Sequence, residues 1–390
     1  MPAPNVSLSE LIRVFFRIGW LAFGGPVAQL GLMHDECVER RHWLEDPDFV
    51  RALNFVHVLP GPEASQMAIL IGWRVLGVLG GVLAGVLFIS PGILTLAALA
   101  AIYVRYGSRP ELLGVLSGFR PVALALLAAS MLRLSKAALR TTFQKVLAVL
   151  AFGASALLHV GFVPLLLGCG AASILRWRVR GLGGAALLAV MLSRPAEAAA
   201  PALERLRDVS LFFLKVGLVS FGGAYAVLPL LREGAVLHSA WITDPQMVDA
   251  LALGETTPGP LISIGVFIGY LAGHSLGVGL ASALCAGFWL FLPSFVLVLA
   301  GAPYLERITA WPGVQPFLEG VTAGVLALMA AVSLALARAT VFHAGRLDWV
   351  TLVLGVVAFG VLVVGGRRVN VAYVVLAGGA VGLVRALAGA

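Results

Sequence analysis

The sequence predicts an all-α polytopic membrane protein made of two homologous repeats with broken or re-entrant helices. Three observations carry that expectation. Of 390 residues, 60% are hydrophobic and only 12% charged, with mean hydropathy +0.99; a soluble domain carries about a quarter charged residues. The second half of the chain repeats landmarks of the first. Proline-glycine-proline breaks fall inside apolar segments at matching places in both halves. At about 20 apolar residues per span, the length suits about ten membrane segments joined by short loops.

The first apolar run, 11–31, carries Arg13 and Arg17 and is followed by no small-residue cleavage site. It reads as a retained membrane helix rather than a removable signal peptide. Apolar segments 52–73, 76–104, 112–134, 146–175 and 181–193 follow. Of these, 52–73 and 146–175 can each be read as one span or as two short pieces. The stretch SRPAEAAAPALERLRD (193–208), rich in Ala, Pro and charge, is the boundary. It divides a first repeat, 1–192, from a second, 209–390. The second set of apolar segments lies at 209–231, 246–272, 275–302, 314–338, 347–364 and 369–388.

FFRIGWLAFGG (15–25) lies over FLKVGLVSFGG (213–223) at an offset of 198. The same offset brings Trp43 to Trp241, Asp46-Pro47 to Asp244-Pro245 and Pro60-Gly61-Pro62 to Pro258-Gly259-Pro260. After a four-residue slip, Pro91 meets Pro293 and Gly118 meets Gly320. So many Gly, Pro and Trp landmarks do not agree by chance, and the chain is a duplicated unit. Duplicated membrane units with helices interrupted at corresponding places mark secondary transporters. An odd number of spans per unit would set the repeats in inverted orientation, but the basic residues do not decide it.

The breaks point to a site. Proline cannot donate a backbone hydrogen bond and clashes with the preceding turn. At membrane depth, broken backbone is tolerated only when buried in protein or lining a wet cavity. A new half-helix begins beyond each break, and its unpaired N–H groups and dipole favour an anion. Pro60, Pro62, Pro258 and Pro260 are therefore the expected helix-breaking residues. Gly61 and Gly259 lie between them, and Gly24, Gly25, Pro26, Gly222 and Gly223 supply a second pair of flexible points. Glu63, Ser65 and Gln66 follow the first break. Glu255, Thr256 and Thr257 precede the second, and Ser263 follows it. Hydroxyls and an amide can donate to an oxyanion. Arg17 and Lys215, at equivalent positions, are expected to neutralise a dianion rather than only to snorkel. Glu63 and Glu255 are read as proton carriers or as structural partners of basic side chains.

Other chemistries find little support. The net charge of +8 is spread over short clusters such as RLSKAALR (133–140) and RWRVR (176–180), which suits cytoplasmic loops and lipid headgroups; nucleic acid is not an expected partner. Cys37, Cys169 and Cys285 form no CxxC pair. His34, Cys37 and His42 match no zinc spacing, so no metal or other cofactor is expected. No GxSxG, HExxH or Walker A motif is present, and no catalytic residue is assigned.

FGGPVAQL, LPGPEASQMAILIGW with GGVLAGVLFISPG, FGGAYAVLPLL and ALGETTPGPLISIGVFIGYLAG together resemble the chromate ion transporter family in its long, two-domain form, over about 9–140 and 209–340. The resemblance implies efflux of chromate across the inner (plasma) membrane, with sulfate as a look-alike dianion, and repeats in inverted orientation. It assigns the family motifs to Gly24, Gly25, Pro26, Pro60, Gly61, Pro62, Glu63 and Gln66, and to Phe221, Gly222, Gly223, Glu255, Thr256, Thr257, Pro258, Gly259 and Pro260. Expected partners are the oxyanion, the bilayer and, as a permitted assembly, a second copy of the chain. Relatives often carry a glutamine near the position of Val266, and bulkier apolar residues at Ser263 and Gly265. Those departures bear on site size and polarity. The alternatives to export are a sulfate or other oxyanion importer or exchanger, and an anion channel.

Overall fold

The computed structural model describes residues 6–23, 25–107, 109–158, 160–179, 201–221, 224–305, 311–343, 346–365, 369 and 371–388. In the first repeat these form α1 (Leu8–Leu21), α2 (Gly25–His34), α3 (Asp46–Val58), α4 (Glu63–Tyr106), α5 (Pro110–Ala138), α6 (Thr142–Leu158) and α7 (Phe162–Val179). The second contains α8 (Pro201–Val219), α9 (Leu228–Leu231), α10 (Asp244–Glu255), α11 (Ile264–His274), α12 (Gly279–Gly301), α13 (Val314–Val341), α14 (Trp349–Gly365) and α15 (Val371–Leu387). A two-residue antiparallel ladder pairs Phe342 with Leu347. The 181–193 segment lies outside the described residues. Residues 201–208, read from sequence as linker, already belong to α8.

The repeated Asp-Pro pairs are helix starts. Pro47 and Pro245 occupy the first turns of α3 and α10, where a missing N–H costs nothing, and Thr243 with Gln246 adds a capping box to α10. Both ambiguous segments of the first repeat resolve as two short pieces: 52–73 breaks between α3 and α4, and 146–175 between α6 and α7. Among the described residues, four helices are long and apolar enough to cross a membrane: Glu63–Tyr106, Pro110–Lys136, Gly279–Tyr304 and Val314–Val341. Five shorter apolar helices accompany them. The expected ten or so membrane segments correspond, among the described residues, to these four long and five shorter apolar helices, which differ in length because the breaks divide the apolar runs. This is a multi-pass, all-α membrane protein.

The equivalent tripeptides Leu76-Gly77-Val78 and Leu276-Gly277-Val278 reverse the chain in the two repeats. Gly77 adopts φ 65° and Gly277 φ 73°, a region that L side chains avoid and glycine does not. α4 therefore has two arms, 63–75 and 78–106, which match α11 and α12. α1 packs on the second arm through Gly19, where a Cβ would lie 2.5 Å from the Leu87 carbonyl and 3.1 Å from Pro91 Cγ. α8 repeats this through Gly217, where a Cβ would lie 3.0 Å from Pro293 Cγ.

The last helices of each repeat cross to the other. α5 packs against α14 and α15, with Gly118 hard against the Gly378 carbonyl. Its counterpart α13 packs against α6 and α7, with Gly320 hard against the Cys169 carbonyl. Such reciprocity, in which each repeat presents the same surface to its twin, is the contact pattern of a two-fold relation. The repeats are interlocked rather than set side by side.

Candidate functional site

Both proline-glycine-proline breaks lie where the interlocked repeats meet. Gly61 adopts φ 128° and Gly259 φ 93°, so the two central glycines are required by backbone shape. Each donates its N–H across the repeat boundary. Gly61 N–H donates to the Ser220 carbonyl at 2.7 Å, and Gly259 N–H to the Ala22 carbonyl at 3.0 Å. Ala22 and Ser220 are equivalent residues at the ends of α1 and α8, immediately before Phe-Gly-Gly. The motifs that recur in sequence therefore bond to each other's partners in space.

Side-chain amides reinforce the junction. Gln29, buried on α2, spans both partners of one bridge: its Nε2 donates to the Ala22 carbonyl at 3.1 Å and to the Gly259 carbonyl at 2.7 Å. Gln66 Nε2 donates to the Pro60 carbonyl at 2.6 Å. Its Oε1 finds no partner among the described residues, and neither do the buried hydroxyls of Ser65, Ser263 and Ser294. Ser65 and Ser263 are equivalent and sit at the start of the half-helices beyond the two breaks. Ser294 Oγ lies against Gly61, and a Cβ placed on Gly92, its counterpart on α4, would lie 2.8 Å from the Pro258 carbonyl and 3.3 Å from Ser263 Oγ. Buried hydroxyls are rarely left unpaired. These side chains, Ser65, Gln66 and Ser294 at the first break and Ser263 at the second, are the candidate cradle, with three hydroxyls as its unspent donors among the described residues.

The remaining expected site residues are placed as follows. Gly25 opens α2 at φ 81° with Pro26 beside it; Gly24, Gly222 and Gly223 lie outside the described residues. Thr256 and Thr257 spend their hydroxyls on backbone carbonyls three residues earlier, at 2.9 and 3.0 Å. Glu63 faces His57, with Nε2 at 3.3 Å. Glu255 is buried and accepts a hydrogen bond from Tyr225. Arg17 is not brought to the cradle: its side chain is 58% exposed, 3.9 Å from Glu36. Lys215 is likewise exposed on α8. Val266 is fully buried. His34, Asp35 and Glu39 come together at the surface, but His34 Nε2 is engaged by Asp46 at 2.6 Å.

Sequence reasoning passes over a second set. Arg120 on α5 makes a two-pronged ion pair with Asp249 on α10, at 2.7 and 2.9 Å, and Tyr103 donates to the same carboxylate at 2.9 Å. Asp249 is wholly buried. The available signal is Arg120 and Asp249 inside two apolar runs, 112–134 and 246–272, that carry one other charge each, Arg133 and Glu255, since charges at membrane depth are paired or functional. Gln29 is visible as the one amide in FGGPVAQL.

A family model described as "Chromate transporter" matches residues 9–174 and 207–383. A chromate transport protein of Pseudomonas aeruginosa is 34% identical over 97% of this chain and 92% of its own length. One from Cupriavidus metallidurans is 31% identical over 87% of this chain and 85% of its own. An uncharacterized transporter of Methanocaldococcus jannaschii is 24% identical over 95% of this chain and 93% of its own. No solved structure matches the chain.

Proposed function

The chain belongs to the chromate transporter family, and from that premise we propose that it is a secondary transporter carrying chromate out of the cytoplasm across the inner membrane, with sulfate competing for the same site. The observation that carries this reading is the cradle: two equivalent helix starts with Ser65, Ser263, Ser294 and Gln66 around them, and three hydroxyls free to donate. A tetrahedral dianion suits it, because four oxygens can accept from several directions at once. Helix N-termini supply partial positive charge without a buried base, so the binding step does not need Arg17 or Lys215.

The cradle oxygens are sealed from solvent. Entry requires the repeats to move against each other, opening one of the two bridges, Gly61 to Ser220 or Gly259 to Ala22, while the other holds. That is alternating access about a two-fold related pair, and repeats in inverted orientation would let the two bridges gate opposite sides. Outward movement of a dianion through a negative-inside potential releases about 4.6 kcal/mol per 100 mV. At about 1.4 kcal/mol per decade, the potential alone sustains a gradient of roughly three decades. Proton exchange is an added coupling, with Glu63 facing His57 and Glu255 held by Tyr225 as the candidate carriers.

The test is uptake of labelled chromate into inside-out vesicles, with potential and pH gradient varied separately and excess sulfate as competitor. Saturable, sulfate-inhibited uptake driven by an inside-positive potential supports the exporter. Flux without saturation would make it a channel, and uptake only in right-side-out vesicles would make it an importer. Export unchanged on collapse of the pH gradient at fixed potential would remove the proton coupling.

A further inference from the structure

Away from the cradle, a cleft of about 710 Å³ opens between the start of α5, the end of α13, the start of α14 and the end of α15. It is lined by Arg120, Arg346 and Arg385 against one carboxylate, Asp348. Two of the arginines are committed: Arg120 to Asp249 behind the cleft, and Arg385 to Asp348 at 2.8 Å. Arg346 has no carboxylate partner among the described residues and is exposed. The buried Thr340 also lines the cleft, and its Oγ1 has no hydrogen-bond partner among the described residues. A guanidinium with no carboxylate partner and a hydroxyl with no hydrogen-bond partner among the described residues, both lining the cleft, are the donor set for a phosphate-type oxyanion.

The position narrows the ligand further. The cleft sits at the ends of membrane helices, with Trp349 67% exposed and Leu113 47% exposed at its edge. An amphipathic tryptophan beside exposed apolar and basic side chains marks the headgroup level of a bilayer. We propose that this cleft binds a phosphate-type oxyanion, supplied by an anionic lipid headgroup or by a free ion, through Arg346 and Thr340. Arg120 gives the site a reach beyond itself, since it also holds α10, the helix that leads into the second break.

The experiment needs no transport. The purified full-length chain is placed in nanodiscs of phosphatidylcholine alone or with phosphatidylglycerol, in a phosphate-free buffer. Phenylglyoxal labelling of Arg346 is then followed by peptide mass spectrometry, with Arg338, an exposed arginine of α13 outside the cleft, as internal reference. Phosphatidylglycerol is expected to slow Arg346 labelling about tenfold relative to Arg338, equivalent to about 1.4 kcal/mol; Thr340→Val should cut that protection several-fold. A parallel arm adds inorganic phosphate to the phosphatidylcholine discs. Protection by phosphate there assigns the site to a free ion, and protection by phosphatidylglycerol alone assigns it to lipid. Equal labelling of Arg346 under all conditions, or protection no greater than at Arg338, overturns the proposal. Neither outcome touches the chromate reading, which rests on other residues.

Discussion

The two central glycines are equivalent in sequence but not in surroundings, and substituting each by alanine separates the two facts. Both have positive φ, 128° at Gly61 and 93° at Gly259, so either alanine carries a backbone penalty of about 1–3 kcal/mol. Beyond that they diverge. A Cβ at Gly259 would come no closer than 3.4 Å to Gly92, an ordinary contact. At Gly61 it would land 2.5 Å from Gln66 Nε2 and still nearer Ser294 Oγ. Ser294 can rotate, but Gln66 is held by its 2.6 Å bond to the Pro60 carbonyl. Moving it forfeits a buried hydrogen bond, about 1 kcal/mol. Gly61→Ala should therefore be less stable than Gly259→Ala by about 1 kcal/mol or more, measured by unfolding the purified protein with increasing denaturing detergent. It should also raise the KM for chromate, because the displaced groups belong to the cradle. Ser294→Ala in the Gly61→Ala background should recover part of the stability. Equal losses for the two glycines, or a larger loss at Gly259, would refute the argument from surroundings.

Four more outcomes are expected. Ser263→Ala and Ser294→Ala should each raise the KM for chromate about tenfold, the loss of one hydrogen bond to a charged ligand, with stability unchanged or higher because an unpaired hydroxyl is removed. Asp249→Asn should destabilise the protein by about 3 kcal/mol by leaving the half-buried Arg120 guanidinium without its carboxylate, while Arg120→Met with Asp249→Leu should recover more than half of that. Arg17→Gln and Lys215→Gln should leave chromate affinity within about twofold, since both side chains are exposed while the cradle oxygens are sealed; a large loss in binding assays would return them to it. Asp348 lies in the loop before α14. Burial pushes its carboxyl up, but hydrogen bonds from Arg385 and Thr351 outweigh this and hold it at about 2 against an ordinary 3.8. Its contribution to stability is complete above pH ~4 and fades as pH falls toward about 2. Asp348→Asn should abolish that acid-side slope in a pH series of unfolding measurements.

Much of this architecture is legible in the amino-acid order alone. Pro60, Pro62, Pro258 and Pro260 announce breaks because proline's defect is local: it removes a donor whatever surrounds it. The duplication is equally plain, since Gly, Pro and Trp landmarks survive when apolar residues interchange. Partnership is not legible in the same way. Thr256 and Thr257 look like donors, but their hydroxyls fold back onto the preceding turn. Arg17 and Lys215 look like a matched pair of counter-charges, yet one helical turn decides whether a side chain meets the core or the surface, and theirs meet the surface.

By itself, then, the sequence determined the membrane class, the two repeats and the places where helices must stop, because each follows from composition or from one residue's covalent chemistry. Only the tertiary structure decided that Gly61 bonds to Ser220 and Gly259 to Ala22, that Arg120 pairs with Asp249, and that Ser294 joins the cradle. These contacts join residues more than a hundred positions apart and depend on how one repeat is turned against the other. Repetition in sequence says that two surfaces are alike; it does not say that they face each other.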